Sequence, residues 1–191
     1  WLNAHEHCLV LALPETHPLA HGSVTESYRR LSTALIAALR LLAPAMLIEA
    51  DQRHERAAAP NAICFEVPSD YEITAQGKKL IGSAQLRKYG GVLQHGALPL
   101  NGDVADICDA LTFPNADARQ RAKVRLRQRA ITLSAAADRL ITWQVAAAAL
   151  CEGFRQTFAL TWQAADAFLE ADAAHALIDS RYAADAWTFS R

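Results

Sequence analysis

No two of the four cysteines, Cys8, Cys64, Cys108 and Cys151, form a CxxC pair, and none has a histidine at ligand spacing. That scatter excludes a disulfide framework and a zinc-ribbon type of site, and it fits a reducing, cytoplasmic setting. Net charge is missing as well. The chain has 19 Lys+Arg against 20 Asp+Glu, a formal charge of -1, so no global field draws it to nucleic acid or to an anionic membrane. No apolar run reaches spanning length, because Arg29, Arg30 and Arg40 interrupt the longest candidate, Val24 to Leu42. A soluble protein is expected. The chain opens at Trp1 with neither an initiating methionine nor a signal-peptide core, and the expectation is that its natural start lies upstream. Internal repeats and flexible linkers are absent too.

What is present is 191 residues at 52% hydrophobic content, enough to bury a core. The expectation is an α+β fold, a mixed or antiparallel sheet flanked by helices. Residues 1-191 are read as a single domain, mostly helical over 101-191.

In chain order, Cys8 to Leu13 is a short apolar run closed by Pro14, which suits a buried strand. His5 and His7, two apart on such a strand, would share a face, but no third ligand is identifiable and no metal is assigned. Ser23 with Glu26 three residues later has the form of a capping box. Leu31, Leu35, Ala38, Leu39 and Leu42 then recur at helical spacing up to Pro44. Met46 to Ile48 reads as a strand and Asp51 to Ala59 as a loop able to cover a substrate.

Further on, Asn101-Gly102-Asp103 starts a short helix that Phe113-Pro114-Asn115 stops. Ala118 to Ala130 packs Arg119, Arg121, Lys123, Arg125, Arg127 and Arg129 into one element, and its lack of β-branched residues favours a helix. Two readings of it stay open, a solvated charged face and a docking patch for an acidic partner. Ser134 is the expected cap of a helix. Trp143, Val145, Ala149, Leu150, Cys151, Phe154 and Phe158 are the expected buried stripe of another. Phe158 to Trp162 is a possible last strand, and the alanine-rich remainder reads as helical.

The chemistry is expected between Ala62 and Leu100. Tyr71, Ile73 and Ala75 alternate as in a strand, Gln76-Gly77 can reverse the chain, a second strand starts at Lys79, and Tyr89-Gly90-Gly91 turns it into a third. A thiol, an amine and an imidazole, on Cys64, Lys79 and His95, then fall on neighbouring strands of one meander. Taken singly, a cysteine in an apolar strand is usually core and a lysine beside a hairpin turn usually solvated.

CFEVPSDYEI, followed by GKKLIGSAQLRKYGGVLQHGALPL, resembles the lipoate/biotin protein ligase superfamily, most closely its cysteine-dependent octanoyltransferase branch. HPLAHGSVTESYRRLS and the terminal SRYAADAWTFSR extend the likeness over essentially the whole chain. The resemblance implies Cys64 as nucleophile and Lys79, three before Gly82, as the motif lysine. It implies Ser69, Asp70, Gly82, Ser83, Ala84, Gln85 and His95 as substrate-binding residues. It also implies that an N-terminal portion carrying an Arg-Arg-x-x-Gly-Gly segment precedes this chain, and Asn3-Ala4 stands where the family has His-Asp.

The implied reaction passes an octanoyl group from acyl carrier protein to Cys64 and on to a lysine of a lipoyl-domain protein. One thioester replaces another and then yields downhill to an amide, so ATP is not required. In this scheme Lys79 favours the thiolate and polarises the acyl carbonyl, aided by backbone amides near Gly82 and Ser83. His95 either relays a proton or is a structural imidazole. No resident cofactor is implied, since the acyl group arrives on the carrier's phosphopantetheine. Two rivals remain: an ATP- and magnesium-dependent lipoate-protein ligase with Cys64 incidental, and a non-catalytic remnant that holds a lipoyl domain or a carrier.

Overall fold

The computed structural model describes residues 6-44, 48-51, 72-163 and 171-189. Two compact units divide the chain, one up to Leu160 and one from Thr161. Among the described residues no helix is long and apolar enough to cross a membrane.

Among the described residues, the first unit is built on a five-stranded antiparallel sheet in the order β1-β5-β4-β3-β2, with β1 at Glu6–Pro14, β2 at Ile48–Asp51, β3 at Glu72–Ala75, β4 at Lys78–Lys88 and β5 at Gly91–Pro99. Strands β3, β4 and β5 form the expected meander. Both of its turns are two-residue reversals with positive φ at each residue: Gln76 at 53° with Gly77 at 73°, and Tyr89 at 55° with Gly90 at 74°. That mirror-image turn matches the twist of the strands it joins, and a glycine at the second position makes it cheap.

One face of the sheet is covered by α1, Val24–Leu42. Ser23 and Glu26 make the capping box reciprocally: the Glu26 amide donates to Ser23 Oγ at 3.2 Å and the Ser23 amide to Glu26 Oε2 at 2.7 Å. Leu31, Leu35, Ala38, Leu39 and Leu42 are buried, as their spacing requires. The loop leading into α1 is tied down by arginines. Arg87 donates to the carbonyls of Ala20, Gly22 and Ser23, and Arg30 to those of Pro18, Leu19 and His21.

After β5, Asp103 caps a single 3-10 turn that runs into α2, Ile107–Ala110. Asn115 then caps α3, Ala116–Arg129, of which only Ala122 and Leu126 are buried. The helix expected to start at Ser134 is α4, Leu133–Ala137, and its cap is Thr132, whose hydroxyl accepts from the Ala135 amide. Ser134 instead accepts from the Ile141 amide at 2.9 Å.

Helix α5, Trp143–Phe158, packs on α1 through Ala146, Ala149, Leu150, Gly153 and Phe154. Its expected stripe was misplaced at one edge: Trp143 is 52% exposed, Val145 is 43% exposed, and Cys151 faces solvent. The close approach to α1 sets the true face. A Cβ at Gly153 would lie 2.6 Å from Ala38 Cβ and 2.7 Å from the Ala34 carbonyl, so the glycine edge must face inward. Residues 160-163 form no strand. The second unit contains α6, Ala171–Leu177, a π-type turn at Ile178–Tyr182 and α7, Asp185–Thr188, with Tyr182 and Trp187 in edge contact at 5.1 Å.

Candidate active site

The Gln76-Gly77 turn sets the start of the site. A two-residue reversal fixes its flanking pairs, here Ala75 with Lys78 and Thr74 with Lys79. One step further the register shifts, and Ile73 pairs with Ile81, so that Leu80 is an extra residue in β4. This is a β-bulge, and it changes which face each side chain takes. Leu80 and Ile81 both enter the core, at 0% and 4% exposure. Lys79, across from Thr74, takes the face opposite Ile73 and Ile81. Regular alternation through Leu80 would have put Ile81 on the same face as Lys79, out of the core.

Lys79 and Thr74 are both buried. The Lys79 carbonyl accepts from the Ile131 amide at 3.0 Å, and Ala130 makes a parallel bridge to Lys79. The backbone at this lysine is therefore held on two sides, by β3 and by the segment leaving α3. Thr74 was not singled out in the sequence, although the glycine turn that fixes its pairing to Lys79 was.

From Ile81 onward the strands alternate regularly. Ser83, Gln85 and Arg87 follow Ile81 onto the α1 face, where Gln85 Nε2 donates to Gln94 Oε1 at 2.9 Å and to Ser27 Oγ at 3.2 Å. Ser83 and Gln85, both expected to touch substrate, thus direct their side chains away from the Lys79 face. Their motif positions leave only backbone groups for the substrate side.

Gly82, Ala84 and Leu86 share the outer face with Lys79. Register places Ala84 beside His95, and His95 beside Val10. His95 is exposed, as are Val10, Leu86 and Leu93, so this face is an apolar surface bearing one imidazole. Five residues of β4 separate Lys79 from the level of His95, roughly 16 Å of strand. The meander brings the amine and the imidazole to one face without bringing them into contact.

Cys64, Ser69 and Asp70 lie outside the described residues. The other three cysteines lie off β4, on β1, α2 and α5. Burial and the Glu6 carboxylate push the Cys8 thiol up, Cys108 is buried in the small core against α3, and Cys151 is on the solvent side of α5. Among the described residues no group of three or more His, Cys, Asp or Glu is placed to hold a metal ion.

The comparisons with known proteins agree with this fold. The chain is 32% identical over 194 residues to the octanoyltransferase LipM of Exiguobacterium sp., covering 100% of this chain and 70% of that protein. It is 34% identical over 184 residues to LipM of Kyrpidia tusciae, covering 95% of this chain and 67% of that one. Among solved structures, a bi-partite lipoate protein ligase from Thermoplasma acidophilum superposes with a TM-score of 0.65 at 18% identity, covering 95% of this chain and 62% of that one. The lipoyl protein ligase A/B catalytic domain matches residues 2–155. With its antiparallel meander and its match to that domain over residues 2–155, the chain belongs to the lipoyl protein ligase A/B catalytic domain family.

Proposed function

We infer that this chain is the catalytic part of an octanoyltransferase of protein lipoylation, an acyltransferase working through a cysteine thioester. The observation that carries this reading is its identity to octanoyltransferases along its whole length. Lys79, buried on the same face of β4 as Gly82, supplies a place for the chemistry. Cys64 is the proposed nucleophile. Its thiolate attacks the carbonyl of an octanoyl thioester, a new carbon–sulfur bond forms, and the donor's thiolate leaves. In the second step the ε-amine of an acceptor lysine attacks the Cys64 thioester, the amide forms, the Cys64 sulfur departs with the electron pair, and the amine's proton passes to a base.

Lys79 acts on both steps by stabilising the oxyanion, because a fixed ammonium in a water-poor setting outweighs a solvated one. Backbone amides near Gly82 and Ser83 assist it. The apolar outer face past Gly82 and Ala84 gives the alkyl chain a wall. The proposed donor is acyl carrier protein and the proposed acceptor a lipoyl-domain protein. The Thermoplasma ligase was studied with its E2 lipoyl domain, which supports an acceptor of that kind. The proposed route uses no nucleotide.

The test is intact-mass analysis after mixing the protein with octanoyl carrier protein. The wild type should gain one octanoyl group that hydroxylamine removes, and Cys64→Ser should gain none. An ATP- and magnesium-dependent transfer of free acid that survives Cys64→Ser would replace this reading with the ligase one.

A further inference from the structure

Six of the chain's cations fall within the fourteen residues of α3, against one acid, Asp117, although the whole chain is nearly neutral. The helix shows most of its circumference to solvent, since only Ala122 and Leu126 are buried. It has two charged flanks. On one, Lys123 pairs with Asp109 and Arg127 with Asp103, both at 2.6 Å, and these pairs anchor α3 to the turn before it. On the other, Arg121 and Arg125 form an open surface with Asp117, Gln120 and Val124. Val124 is 44% exposed in the middle of it. An exposed apolar residue with arginines beside it suits a carboxylate-bearing helix that also carries an apolar side chain.

The C-terminal end of α3 runs into the candidate site. Lys78 Nζ donates to the Arg127 carbonyl at 2.8 Å, and the next residues, Ala130 and Ile131, bond to the backbone of Lys79. A partner lying along α3 is thereby aligned with the strand that carries the site lysine.

We propose that the Arg121/Arg125 flank of α3 is the docking surface for the acidic protein that donates the acyl group. This rests on the transferase reading above. Arm length separates donor from acceptor. From Arg121 to Ala130 the helix and its end extend about 13 Å at 1.5 Å per residue. An acceptor lysine stands only four methylenes from its backbone, so an acceptor must seat its own surface against Lys79. A donor whose acyl group rides on a long flexible arm can sit at Arg121 and still reach the site.

The experiment uses the full chain and octanoyl acyl carrier protein, with octanoyl pantetheine as the small donor and the apo carrier as a binding probe. Arg121→Glu with Arg125→Glu should weaken carrier binding, read by fluorescence anisotropy, by about tenfold or more. It should lower the ratio of thioester formation from the carrier to that from octanoyl pantetheine by a similar factor. Arg121→Lys with Arg125→Lys should restore most of both, and raising the salt should weaken binding by the wild type more than by the charge-reversed variant. Unchanged carrier affinity, an equal loss on both donors, or a defect confined to transfer onto the acceptor lysine would each overturn the proposal. A wild type that binds the carrier but forms no thioester from either donor would instead sink the transferase reading and leave the docking surface in place.

Discussion

His7 shows how much one side chain can matter away from the chemistry. Its ring lies 5.0 Å from that of Trp143, and its Nδ1 is buried with no hydrogen-bond partner among the described residues. Burial holds its pKa below the ordinary 6.5, because the charged form loses hydration and gains nothing in return. The unfolded chain therefore binds this proton at a higher pH than the folded one. The stabilising contribution is complete above the ordinary value and is lost as the pH falls through it toward the lowered one. Urea unfolding at pH 7.5 and 5.5 should show lower stability at the acid end, and His7→Phe, which keeps a ring against Trp143, should flatten that difference. The Asp103 carboxyl, held low chiefly by the Arg127 guanidinium, acts in a separate and more acid window below its ordinary 3.8, so the two effects can be resolved.

Among the elements, α1 and α5 meet in close contact at Gly153. Small residues on both helices, Ala34 and Ala38 against Ala149 and Gly153, let the backbones approach closely. Gly153→Ala would place a methyl group against backbone atoms of α1 that cannot yield locally, and it should cost about 1–3 kcal/mol. A shifted urea midpoint at constant slope would measure that cost, and an unchanged midpoint would contradict the packing. The same contact explains what the sequence left illegible. Apolarity alone put Trp143 and Val145 inside, but the buried face of α5 is chosen by which residues are small enough to meet α1, a property of the pair rather than of either helix. Local signals were readable in proportion to how local their physics is. Ser23 with Glu26 specified a cap, and Gln76-Gly77 and Tyr89-Gly90 specified reversals. Thr132 outcompeted Ser134 as a cap two residues away, and nothing in the sequence distinguishes the two hydroxyls. At the site, Lys79 was found through its motif, while the inward turn of Ser83 and Gln85 follows from the extra residue at Leu80, which appears only once β3 and β4 are paired.

The whole molecule divides unevenly. Every buried residue among the described ones lies before position 161, and described side chains in the second unit are exposed or nearly so. Residues 1-160 should then fold without the remainder, unfolding cooperatively with a urea midpoint close to that of the parent chain. A fragment that stays unfolded or unfolds without cooperativity would show that the core depends on residues beyond 160.

The unmatched Leu80 has one more consequence. Were Leu80 to take the place of Ile81 opposite Ile73, every residue from Ile81 to the Tyr89-Gly90 turn would change face, and Ser83 and Gln85 would swing from α1 to the side of Lys79. A ladder that looks tidier on paper would therefore uncouple these side chains from the helix that holds them, and this small irregularity fixes which way they point relative to the lysine.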